Sequence, residues 1–124
     1  MDIEKKEIEI IARAMLDKKA KNVTALDLRK IGTAISDYFV ICNADSTTNV
    51  AAICDNVEKE MFEKTGVRPA RAQGRENAFW IILDYVDVVV HIFQTPYREF
   101  YRLEDLWADA VRVDIDDEMI SDGK

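Results

Sequence analysis

The sequence predicts a single mixed α/β domain: an α+β mixed sheet flanked by helices, with element order α-β-β-α-β-β-β-α. Three observations carry that reading. Stretches with apolar residues at helical spacing are separated by short β-branched and aromatic runs. Those runs come in pairs between the helices. Two of them, AFWIILDY and DVVVHIF, are joined by a tight turn around Tyr85 to Asp87, the mark of a hairpin. A length of 124 residues suits one domain with its own core.

Taken in order, Asp2 is placed to cap a first helix of about 18 residues, with Ile3, Ile8, Ile11 and Met15 on one face and lysines toward its end. Asn22 marks a break, and VTALDLRKI at 23–31 reads as a strand. SDYFVICNA at 36–44 is apolar through its middle without alternation, which predicts a strand covered on both faces. In DSTTNVAAICDNVEKEMFEKTG, Asp45 and Ser46 are candidate N-caps. Val50, Ile53, Val57 and Met61 then repeat at helical spacing, and Gly66 fits the C-cap. A short strand near Ala70 to Gln73 and a loop at Gly74 lead into the hairpin. Thr95-Pro96 reads as a helix start, with Thr as cap, for one amphipathic helix from Tyr97 to Ala108 striped by Phe100, Leu103, Leu106 and Trp107. The reading divides the chain into a domain at 1–110 and an acidic, flexible tail at 111–124.

Composition narrows the function. The net charge of −7 opposes binding to phosphate backbones and steers the protein toward basic partners. No run is long enough to span a bilayer, and the acidic start MDIEKKEIEI lacks a signal core, so a cytoplasmic location is expected. Cys42 and Cys54 lie in apolar runs and read as small buried hydrophobes.

Enzyme chemistry is poorly provided for. His91 is the lone histidine and sits mid-strand, on a face with Val89 and Phe93, where a structural or interface role is favoured over catalysis. Metal binding needs convergent ligands, and Asp84 and Asp87 flank a turn that accounts for them. The four glycines form no phosphate-binding loop, so no cofactor is expected. What remains is aromatic: Tyr38, Trp80, Tyr97, Tyr101 and Trp107, together with Arg98 and Arg102, match the residue types of protein-binding hot spots.

Several of these residues stand in a recognisable arrangement. SDYFVICNADS, FWIILD, DVVVHIF and then Arg98-Glu99-Phe100-Tyr101 with Leu103-Glu104-Asp105-Leu106-Trp107 resemble the ribosomal silencing factor (Iojap-related) family in order and spacing. The resemblance runs from about Ile8 to Ala110. Two departures lie in loops: Val86 stands where the family usually has glycine, and Gln73-Gly74 where it usually has Glu-Gly.

The resemblance implies a domain related to the nucleotidyltransferase fold but without that superfamily's catalytic carboxylates, hence a non-enzyme. It implies a homodimer in the free protein. It further implies binding to the large ribosomal subunit through universal large-subunit protein fourteen, with joining of the small subunit blocked sterically and translation repressed. Carried over residue by residue, it gives a partner-binding set of Asp37, Tyr38, Trp80, Asp84, His91, Arg98, Tyr101, Leu106 and Trp107. The alternative is a metal-dependent nucleotidyltransferase-type enzyme with Asp84 or Asp87 holding Mg2+.

Overall fold

A computed structural model of the chain describes residues 6–34 and 36–116. Its elements are α1 (Lys6–Asp17), β1 (Lys21–Asp27), β2 (Tyr38–Ala44), α2 (Thr47–Thr65), β3 (Arg71–Gln73), β4 (Trp80–Asp84), β5 (Val88–Gln94), α3 (Thr95–Tyr101), α4 (Leu103–Leu106) and β6 (Val111–Asp114). The strands form one mixed sheet in the order β3-β4-β5-β2-β1-β6. Only the central β2–β5 pair is parallel. The mixed α/β fold class expected from the sequence is the fold observed.

The apolar run of β2 is explained by its place. All seven of its residues are buried, because it lies mid-sheet with side chains packed above and below. Tyr38, Val40 and Cys42 join Val88, Val90 and Ile92 in the larger core under α1 and α2. Phe39 and Ile41 join Val89 and Phe93 in a smaller core on the opposite face. Among the described residues, that second face is covered by the loop after β1 and the short α3–α4 segment.

Helix α2 is bounded as its sequence requires. Ser46 accepts from the Asn49 amide at 3.0 Å, and Gly66 closes the helix in the left-handed region at φ +74°. Asp45 is not the cap: it accepts from Lys21 Nζ at 2.7 Å and from the Thr95 hydroxyl at 2.8 Å. Asp2 lies outside the described residues. Lys18 and Lys19 follow the end of α1, and Lys21 opens β1.

Two expectations are corrected near the C-terminal end. The helix expected over 97–108 is broken into α3 and α4 at Arg102, whose φ is +51°. Leu103 turns into the smaller core while Phe100 and Leu106 point outward, so they form no single packed stripe. Thr95 is not the cap of α3; Gln94 holds that position, and the Thr95 hydroxyl is drawn into side-chain bonds with Asn43 and Asp45. The second correction concerns the tail. Residues 111–114 form the edge strand β6 against β1, and the Ile115 amide donates to the Val23 carbonyl at 2.8 Å. Alternation of Val111, Val113 and Ile115 with Arg112 and Asp114 is a strand pattern, and pairing with β1 outweighs its acidity. Residues 117–124 lie outside the described residues.

Candidate partner-binding surface

Strand alternation sorts the candidate residues. On β4, Trp80 and Ile82 face away from α1 and α2; on β5, Val89, His91 and Phe93 do the same. Trp80 stacks on Phe93 with ring centroids 4.9 Å apart and meets Tyr101 of α3 at 4.8 Å. Trp107, just after α4, meets Phe39 edge-on at 6.0 Å. Tyr97 stacks on Phe79 at 4.6 Å. These contacts dock the α3–α4 segment on the sheet through its aromatic side and leave its other side to solvent. There Phe100 is 75% exposed and Leu106 73% exposed, with Tyr101 also exposed. Exposed Glu99, Asp105 and Asp109 stand beside them. Arg102, also exposed, pairs with Asp105 at 2.7 Å, so the segment sets exposed apolar side chains among charges of both signs.

His91 sits beneath this surface and is 5% exposed. Its Nδ1 accepts from the Trp80 indole N–H at 3.1 Å, so the neutral ring carries its proton on Nε2. Nε2 is buried without a hydrogen-bond partner among the described residues. Burial pushes the imidazole pKa down to about 3, so the ring is neutral at physiological pH. Phe39 lies 4.5 Å away in edge geometry. The ring is a packing and orienting element here, and direct contact with a partner would require the surface above it to open.

Arg98 occupies the far end of the sheet, on the wall of a polar cleft of about 710 Å3. Its Nη1 donates to the Asn22 carbonyl at 2.6 Å and to Asn43 Oδ1 at 3.0 Å, and its Nη2 to the Thr24 hydroxyl at 3.2 Å. Nε donates to Glu104 at 3.1 Å, and Nη2 also pairs with Glu104. A guanidinium has five N–H donors, and all five are engaged. Asn22, at φ +53° where the β1–β2 register shifts, presents its carbonyl to this group.

At the opposite end, Asp37 and Asp84 flank the starts of β2 and β5. Asp84 Oδ1 accepts from the Val86 amide at 2.8 Å and so shapes the hairpin turn. The Asp87 carbonyl accepts from the amides of Asp37 and Tyr38, both at 3.0 Å. The turn holds Val86 at φ +76°. Gly74 has φ +91°, and a Cβ there would run into the Trp80 carbonyl.

The nine candidate positions therefore do not form one patch. Trp80, Tyr101 and Trp107 share the aromatic face with His91 beneath them, and Leu106 lies on the solvent side of α4. Asp37 and Asp84 lie at the hairpin end, and Arg98 at the other. Tyr38 departs most from its expected role: at 1% exposure it is part of the core under α1 and α2. Its position on β2 points it to the helix-covered face, where its side chain is a core residue. Arg98 is likewise a buried structural hub. Phe100, expected as helix stripe, and Glu104, not singled out from sequence, belong to the surface and its support. Spacing gave no sign of the Arg98 network, whose members lie up to 76 positions from Arg98.

The remaining chemistry is subdued. Burial raises the Cys42 thiol to about 12 and the Cys54 thiol to about 11, so both stay protonated. Among the described residues no three His, Cys, Asp or Glu side chains are grouped to hold a metal, and no helix is long and apolar enough to cross a membrane.

Fold and surface together define a small mixed α/β domain with large apolar side chains exposed on its α3–α4 segment. The family model described as "Ribosomal silencing factor during starvation" matches residues 2–124. The chain is 38% identical over 109 residues to the ribosomal silencing factor RsfS of Bacillus subtilis, covering 88% of this chain and 91% of that one. It is 30% identical to the chloroplastic protein Iojap of Arabidopsis thaliana, over 85% of this chain and 43% of that one. The crystal structure of a Chromobacterium violaceum protein superposes with a TM-score of 0.78 at 30% identity, covering 86% of this chain and 88% of that one. A Bacillus halodurans structure gives 0.74 at 36% identity, covering 87% and 96%. The chain belongs to the ribosomal silencing factor family, RsfS.

Proposed function

We propose that this protein is a cytoplasmic translational repressor that binds the large ribosomal subunit through universal large-subunit protein fourteen and blocks joining of the small subunit. One observation carries the reading: the α3–α4 segment turns Phe100, Leu106 and Tyr101 to solvent, in a chain of this family. Large exposed apolar side chains on a short segment add little to the fold, and they suit an interface anchor. A net charge of −7 draws the domain toward a basic ribosomal protein and away from surrounding RNA.

The mechanism is occlusion, with no bond made or broken. A domain buried over about 800 Å2 per partner fills space that the other subunit must occupy. Silencing follows occupancy, so affinity and abundance set its extent. The free protein is a homodimer in this reading, and the same apolar face is available to a second copy.

Cosedimentation with isolated large and small subunits at two salt concentrations tests the proposal. Pelleting with the large subunit alone, weaker at high salt, is the expected result. Pelleting with neither, or equally with both, overturns it.

A further inference from the structure

We infer that Glu104 is a positioning residue of the docking surface: its ion pair with Arg98 folds α4 back onto the end of the sheet and sets how Leu106 and Trp107 are presented. The inference rests on reading α3–α4 as the docking surface. Nothing in the spacing of the two residues would bring them together. Positions six apart on one continuous helix lie about 240° around its axis, and only residues three or four apart are neighbours. The left-handed Arg102, φ +51°, breaks the helix and returns Glu104 to the Arg98 guanidinium.

α4 has four residues and no side-chain cap at its start. A single turn of that length has little stability of its own. It is held from outside, by burial of Leu103, by the edge contact of Trp107 on Phe39, and by Glu104. Arg98 is anchored independently of α4, through Asn22, Thr24 and Asn43. Loss of Glu104 thus releases α4, while Arg98 keeps its three sheet-end acceptors at the cost of an unpaired buried charge. The ion pair is also largely buried, so it acts on a partner through the orientation of α4 and not by touching it.

A released α4 populates the docking-competent arrangement only part of the time, and apparent affinity falls by that fraction. The test compares the full-length wild type with Glu104→Ala and Glu104→Gln. Three quantities are read: affinity for isolated large subunits, hydrogen exchange of the Trp107 amide (which donates to the Leu103 carbonyl at 3.2 Å), and the urea midpoint.

For Glu104→Ala, at least tenfold weaker binding is expected, and exchange at Trp107 rises at least tenfold more than exchange in β5, whose protection falls only by the global loss of stability. Glu104→Gln keeps an acceptor for Nε and falls between the two; it carries the comparison where the alanine variant does not fold. Wild-type affinity in the alanine variant overturns the inference. So does lost binding with unchanged Trp107 exchange, which makes Glu104 a direct contact. A wild type that ignores large subunits defeats the functional reading instead, and exchange at Trp107 then decides the positioning role by itself.

Discussion

The Trp80 indole N–H donates to His91 Nδ1 at 3.1 Å, between diagonal neighbours of the β4–β5 hairpin. The bond joins the one histidine of the chain to one of its two tryptophans under the α3–α4 segment, and with burial it makes this histidine a packing residue.

A pH dependence of stability follows. The folded-state pKa of His91 is about 3, below its ordinary value of 6.5. Between those values the unfolded chain binds a proton that the folded chain does not, so this group makes stability fall as pH drops below 6.5. Its contribution changes little above pH 7. From pH 7.5 to pH 5 the expected loss from this residue is about 2 kcal/mol. Urea unfolding at the two pH values measures it, with His91→Gln as the non-titrating reference. Equal losses in wild type and variant would contradict the assignment.

Val86 holds a β-branched side chain at φ +76° and is 64% exposed. A left-handed backbone costs an L-residue about 1–2 kcal/mol, partly offset in glycine by about 0.5–1 kcal/mol of unfolded-state entropy. Val86→Gly is expected to stabilise the protein by about 0.5–1 kcal/mol, raising Tm by about 3 °C, as calorimetry would register. A lower Tm would show that Val86 makes contacts worth more than the strain.

Arg98→Ala is expected to destabilise by about 3–5 kcal/mol, since it leaves Glu104 and the sheet-end acceptors buried without their donor. Arg98→Lys recovers only part, because three donors on one ammonium cannot reproduce a five-donor fork. Urea midpoints of both variants check this. A lysine variant as stable as wild type would contradict the hub role.

Leu106→Ser removes an apolar anchor without touching the core. Stability is expected to change by less than about 0.5 kcal/mol, while large-subunit affinity falls at least tenfold, about 1.4 kcal/mol. Trp107→Ala should weaken binding at least as much but also cost stability, because its ring packs on Phe39. Cosedimentation beside thermal unfolding separates the two effects; wild-type binding by a folded Leu106→Ser would remove Leu106 from the interface.

Much of the fold was legible because its signals are local. Ser46 brackets α2 through its hydroxyl and Gly66 through its left-handed backbone, and the unbroken apolar run of β2 announced a strand covered on both faces. What stayed hidden depends on distant partners. The helix breaks at Arg102 and Glu104 returns to Arg98, a pairing that no periodicity encodes. β6 forms because the edge of β1 receives it, although Val111, Val113 and Ile115 already alternated. Of the site, the aromatic face was readable by composition and resemblance, but its depth was not. Tyr38 and Trp80 look alike in sequence, and one residue of strand phase sends the first under the helices.

The central claim is occlusion, and a subunit-joining assay tests it most directly. Large subunits are incubated with saturating protein, small subunits are added, and sucrose gradients report the fraction of joined ribosomes. The account predicts that wild-type protein suppresses joining in proportion to its occupancy of the large subunit, and that Leu106→Ser fails to suppress it at the same concentration. Full joining on large subunits saturated with wild-type protein would contradict it.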